Sequence, residues 1–251
     1  MRDRSLFEAK KDVYQMIFDR LMLPVPDYED CVASNKGGSI VLLEALGLVI
    51  KIEEVKVVQS LTEHPAILDP LYQEDIEGMR VRIFPAVEVS KPGLFNGDRE
   101  EEMQAHLKQE GYNFWDNQHE NVGYVQLGAF PWQKVKVILD HDAVAKSLKT
   151  AQKISNATKA KYAQVKKKFS PLKAAFDKVK ETGDFTDAYK LCRMFTENKK
   201  LVCGWKKYRK SGPINIGFGS HIVMDDRKSK KAHHAAKSYA SKLKSTLSDK
   251  I

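Results

Sequence analysis

Residues 115–142 read WDNQHENVGYVQLGAFPWQKVKVILDHD, and the way this stretch divides decides how the rest of the chain is parsed. Asp116 and Asn121 stand in a D-x-x-x-x-N spacing, with Glu120 directly before the Asn. Residues 122–126 and 134–140 are apolar enough to be two short strands. Asp140 closes the second of them. Asp142 then stands either as the N-cap of a helix opening at Ala143 or as a second carboxylate beside Asp140.

Upstream, DREEEMQAHLKQEG predicts a helix over about 98–110, with acids in its first turn where they complement the helix dipole. Before it, MRVRIFPAVEV and HPAILDPLYQED read as two strands around a Glu77-Gly78 turn. EEVKVVQSLTE carries Val55, Val58 and Leu61 on one side and predicts a helix. From Cys31 to Glu53, short apolar runs are punctuated by glycine at 37–38 and 47, which predicts three antiparallel strands. Residues 5–21 place Leu6, Val13, Met16, Ile17 and Leu21 near helical spacing, with Ser5 and Glu8 as a capping box. The two prolines of LPVPDYED end that helix. Downstream of Asp142 helical patterns dominate, at about 143–169, 171–182, 185–198 and 229–248, with SGPINIGFGSHIVMDD as an irregular interruption.

The chain has 251 residues, 42% hydrophobic and 30% charged, a composition that excludes fibrous and wholly disordered classes. Its longest apolar run, residues 40–52, is broken by Glu44, Gly47 and Lys51 and falls short of the roughly 20 residues of a membrane span. The first residues offer no apolar signal segment, which predicts a cytoplasmic protein without a membrane partner. Cys31, Cys192 and Cys203 form no C-x-x-C pair and read as thiols in a reducing compartment. The net charge of +9 is unevenly divided: residues 143–251 hold 27 Lys and Arg against 8 Asp and Glu, a net +19, and residues 1–142 carry −10. Such a division points to a polyanion, nucleic acid above all, or to a basic region that packs on its own acidic half. The segments KAKYAQVKKKF and GWKKYRK interleave rings with bases, as nucleic-acid surfaces do, and equally fit helix faces whose rings enter a core.

In order, a Gly-containing turn between two strands, a Lys in a V-I-K strand, a helix, two strands, a helix, then W-D-N-Q-H-E-N-V and V-I-L-D-H-D are the parts of a protein kinase. Over about residues 28–142 the chain resembles the protein-kinase-like fold, and in its brevity the reduced kinase-like proteins that bacteriophages encode. The resemblance implies an α+β, bilobal architecture. An N-terminal helix in 1–24 would precede a strand-rich nucleotide-binding lobe at 25–90 and a mainly helical lobe over 91–251 with a lysine-rich C-terminal region. It implies ATP and Mg²⁺ as cofactors and phosphoryl transfer to a protein Ser or Thr hydroxyl, in the host cytoplasm if the chain is virus-encoded.

By position, the resemblance makes Asn35, Lys36, Gly37, Gly38 and Ser39 the loop over the phosphates, and Lys51 the lysine that holds them. Glu53 or Glu54 supplies the carboxylate partner of Lys51, Glu54 fitting the spacing better. Glu88 and Val89 offer backbone groups to adenine, Asp116 orients the acceptor hydroxyl, and Asn121 and Asp140 bind Mg²⁺. The pattern is departed from where Trp115 replaces Arg, where His141-Asp142 replaces Phe-Gly, and where 19 positions separate Asn121 from Asp140. A rival metal set, Asn215 with Asp225 and Asp226, lacks an upstream acid at the right spacing. The other function class compatible with the sequence is a catalytically silent kinase-like protein whose basic half binds nucleic acid or a protein.

Overall fold

The computed structural model describes residues 10–26, 31–33, 39–55, 63–89, 100–117, 121–128, 133–147 and 154–197. The chain is α+β, with strands dominating its first part and helices its later part. Helix α1 (Lys11–Arg20) turns Tyr14, Ile17 and Phe18 inward, one stripe at helical spacing, while Met16 stays 48% exposed. Strands β1 (Cys31–Ala33), β2 (Ser39–Leu43), β3 (Leu48–Glu54), β4 (Tyr72–Ile76) and β5 (Met79–Pro85) form an antiparallel sheet in the order β1-β2-β3-β5-β4. This five-stranded sheet is the one expected over residues 31–89, with corrected edges. Pro65 and Pro70 keep the lead-in to β4 out of the ladder, so that strand starts at Tyr72.

The run expected as one strand over 79–89 is two. After Pro85 the chain leaves the first sheet, and β6 (Glu88–Val89) pairs with β8 (Val122–Gln126), itself paired with β9 (Lys134–Ile138). The segment leading into β4 pairs with the second sheet, where Leu68 N–H donates to Ile138 O at 2.9 Å and Ile138 N–H to Ala66 O at 2.8 Å. Helix α2 (Glu101–Gln109) buries Met103 and Leu107, and β7 (Tyr112–Phe114) pairs with β10 (Val144–Lys146). The helix expected from Ala143 is therefore absent: a 3-10 turn at His141–Ala143 leads into β10, and its N-cap is Asp140, not Asp142.

Helix α3 (Asn156–Thr182) starts instead where Ser155 Oγ accepts from Thr158 N–H at 3.0 Å. The break expected before residue 171 does not occur. Pro171 has no N–H for the carbonyl of Lys167, and the hydroxyl of Ser170 donates to that carbonyl at 2.9 Å. Helix α4 (Thr186–Glu197) follows Gly183, a left-handed C-terminal residue at φ 71°. Phe176 of α3 and Phe185, just before α4, pack on Tyr72 of β4, while Tyr189 of α4 packs on both phenylalanines and donates to the Leu21 carbonyl at 2.8 Å. These helices thus cover a face of the first sheet rather than forming a body of their own. Cys192 is buried among them, and burial pushes its thiol up to about 12. The helices expected at 55–61 and 229–248 lie mainly or wholly outside the described residues. Among the described residues no helix is long and apolar enough to cross a membrane.

Candidate functional site

Strand alternation sorts the first sheet into two faces. Ile50, Ile52 and Glu54 of β3 lie on the face that carries Tyr72 and meets α1, where Lys10 Nζ reaches Glu54 Oε1 at 2.6 Å. Val49, Lys51 and Glu53 lie on the other face, with Arg82 of β5 directly opposite Lys51 in register. That face is where the strand buries charge: Lys51 is 2% exposed, Arg82 1% and Glu53 0%. Lys51 Nζ stands 3.1 Å from Asp140 Oδ1 and 3.2 Å from Glu53 Oε1, while Arg82 Nη2 donates to Glu53 Oε2. Two cations and two anions thus neutralise one another out of water, the condition under which buried charge is tolerated. Of the two glutamates, the one beside Lys51 is consequently Glu53; Glu54, the choice favoured from the sequence, points to the opposite face because it is an odd number of residues away.

Asp140 reaches the cluster because β9 ends at Ile138 and the chain turns into the 3-10 segment, whose Asp142 N–H donates to Asp140 Oδ1 at 3.1 Å. His141 is buried beside Phe84, with ring centroids 6.0 Å apart, and its Nε2 bonds to the Leu68 carbonyl at 2.9 Å. Burial holds its imidazole below the usual range, with Arg82 and Lys51 acting in the same direction.

Asn121 joins the group through the backbone. Leu139 N–H donates to Asn121 O at 2.8 Å, and Asn121 Nδ2 donates to Asp116 O at 2.9 Å, so loop, amide and strand end are tied together. Helix α2 fixes the loop from its other side: Glu100 N–H donates to Asn117 O at 2.7 Å, and Asn117 Nδ2 to Gln104 Oε1 at 2.9 Å. Trp115 N–H donates to Ala143 O at 3.0 Å, and its side chain is 59% exposed. The long interval from Asn121 to Asp140 is spent inside the β8–β9 hairpin, whose strands run from Val122 to Gln126 and from Lys134 to Ile138.

Asn121 Oδ1 is buried and accepts no hydrogen bond. An orphaned amide oxygen at the same strand ends as a carboxylate is a donor set suited to a hard cation that keeps waters and takes its other ligands from phosphate. Asn121 and Asp140 therefore fit Mg²⁺ of this kind. Among the described residues no group of three or more His, Cys, Asp or Glu is placed to hold a metal by itself.

Ser39 opens β2, buried, with its hydroxyl accepting from Tyr14 at 2.6 Å, while Asn35, Lys36, Gly37 and Gly38 lie outside the described residues. Glu88 and Val89 pair with Tyr124 and Gly123 at the edge of the second sheet. Asn215, Asp225, Asp226 and the GWKKYRK segment also lie outside the described residues. In KAKYAQVKKKF the rings Tyr162 and Phe169 are buried, so they belong to the core and offer no stacking surface. Sequence reasoning missed Arg82: Arg80, on the same face of β5, pairs with the half-exposed Asp75, so local spacing does not mark Arg82 as buried; its register opposite Lys51 does. A cavity of about 340 Å³ between residues 65–71 and α3 is lined by Ile67, Leu71, Val165 and Phe169 and by none of the site residues. No family model, curated protein or solved structure matches the chain.

Proposed function

We propose that the chain is a reduced kinase-like protein that binds ATP with Mg²⁺ and transfers a phosphoryl group to a Ser or Thr hydroxyl of a protein. The observation that carries the reading is the meeting of Lys51 and Asp140, 89 positions apart, at 3.1 Å in a buried cluster joined through Leu139 to Asn121. Phosphoryl transfer needs little covalent help from a protein; it needs positioning and charge neutralisation. In this reading Lys51 meets the phosphates, Asn121 Oδ1 and Asp140 hold Mg²⁺, and Asp116 accepts the proton of the attacking hydroxyl. Bound there, Mg²⁺ would offset the charge that develops on the transferring group. Glu88 and Val89 support a nucleotide site by position, since an edge strand turns half of its backbone groups away from its partner.

The test is thermal unfolding with ATP, with and without Mg²⁺, followed by phosphate transfer to a general acceptor such as casein. A ligand at 100 times its Kd adds about 2.7 kcal/mol to the folded state, enough to raise Tm by several degrees. The expected result is a Mg²⁺-dependent rise that Asp140→Asn removes. No shift at about 5 mM nucleotide, a concentration that fills even a millimolar site, overturns nucleotide binding. A shift without any phosphate transfer selects the catalytically silent form of the protein.

A further inference from the structure

Under the reading just given, a lysine that meets phosphates has to be held in place when its neighbouring acid is engaged elsewhere. Asp140 is assigned to the metal, so it cannot also be the group that steadies Lys51. The other contact of Lys51 is Glu53, at 3.2 Å, two residues along the same strand. Glu53 is itself fixed from its second oxygen by Arg82, which stands opposite Lys51 on β5. All three side chains are at most 3% exposed, so water competes for none of them.

We propose that Glu53 and Arg82 are positioning residues: Glu53 holds the Lys51 ammonium toward the nucleotide phosphates, and Arg82 holds Glu53. The inference rests on the phosphoryl-transfer reading and deepens it. In protein kinases the carboxylate partner of the lysine is carried by a helix whose position regulates the enzyme. Here it is carried by β3, whose ladder to β5 fixes Lys51, Glu53 and Arg82 relative to one another. The lysine site is therefore assembled whenever the sheet is folded, and no moving helix is needed to complete it. The charges agree with that role. Once Asp140 serves a cation, Lys51, Arg82 and Glu53 retain one net positive charge to present to phosphate.

The experiment compares the intact protein with Glu53→Gln, Arg82→Met and the double variant, reading Tm together with KM for ATP and kcat for phosphate release with Mg²⁺. Either single variant leaves a buried charge unmatched and is expected to lower Tm, whatever its role. The double variant removes one charge of each sign, so its Tm is expected to return close to that of the original chain. Positioning predicts that KM for ATP nonetheless stays raised by about tenfold or more and that kcat stays low in the double variant, because Lys51 has lost its guide. A double variant with both Tm and KM restored overturns the proposal and leaves Glu53 and Arg82 with a structural role only. Should Glu53→Gln alone fail to fold, the charge-balanced pair carries the measurement. An original chain that neither binds nor hydrolyses ATP defeats the underlying reading itself, a result distinct from normal turnover by the variants.

Discussion

At the scale of single residues, two histidines couple the fold to pH. His64 Nδ1 accepts from Ala66 N–H at 3.1 Å, so the ring proton is on Nε2, which donates to Glu110 Oε2 at 2.8 Å. The neutral form is the one that fits, and burial outweighs the Glu110 carboxylate in holding the imidazole below 6.5. His141 is displaced in the same direction. Unfolded imidazoles protonate first on acidification, so stability is full above about pH 6.5 and falls as pH drops toward the folded values. Each histidine contributes at most about 1.4 kcal/mol per pH unit. Urea unfolding at pH 7.5 and 5.5 should show this loss, and His64→Gln, although weaker at pH 7.5, should show a smaller one. Lys51, Asn121 and Asp140 stand out in the sequence by type and position, and the structure brings them into one neighbourhood through the Lys51–Asp140 pair and the Leu139–Asn121 hydrogen bond. What was not legible was direction. Spacing to an assumed helix favoured Glu54, whereas the period of two in a strand gives Lys51 the company of Glu53.

At the scale of elements, turns and caps account for where the sequence reading held and where it slipped. The Glu77-Gly78 turn stands as expected between β4 and β5, with both residues at positive φ, 47° and 73°. Tight hairpins of this kind favour Asn at the first position, and a left-handed non-glycine costs on the order of 1 kcal/mol, so Glu77→Asn should raise stability by up to about that amount in urea. Residue 183 is the opposite case. A Cβ there would stand 3.0 Å from Arg20 Nη1 at φ 71°, and Gly183→Ala should cost about 1 kcal/mol or more by the same measurement. Proline misled the reading of α3, because its local penalty is visible in a sequence and the Ser170 hydroxyl that answers it is not. Pro171→Ala restores the missing amide donor at an exposed position, and a gain on the order of 1–3 kcal/mol is expected. Residues 143–146 were misread for a different reason. Their pairing with Tyr112–Phe114 is contact between segments about thirty residues apart, which local periodicity does not encode.

At the scale of the molecule, charge and packing divide the chain differently. The sequence separates at residue 142 into an acidic and a basic part, but α3 crosses from one sheet to the other. Lys168 donates to Gln126 O beside the second sheet, Lys166 pairs with Asp69 at 2.8 Å, and Phe176 meets Tyr72 of the first. Of these contacts, Lys166–Asp69 pairs a base of the second part with an acid of the first. A helix of 27 residues, about 40 Å long, couples what it touches. Unfolding followed by Trp fluorescence and by far-UV circular dichroism should therefore give one coincident transition, whereas a chain ended after residue 142 should lose cooperative unfolding altogether.

That helix also sets the unit in which the protein can be inherited. Tyr72 and Leu21 find their aromatic and hydroxyl partners more than a hundred residues later, in Phe176, Phe185 and Tyr189. A recombination event near residue 142 that kept the whole acidic part would discard the cover of its sheet, and one that kept the basic part would strand a row of rings in water. Among the described residues, a segment exchanged, duplicated or grafted with this core intact has to include everything from α1 through α4.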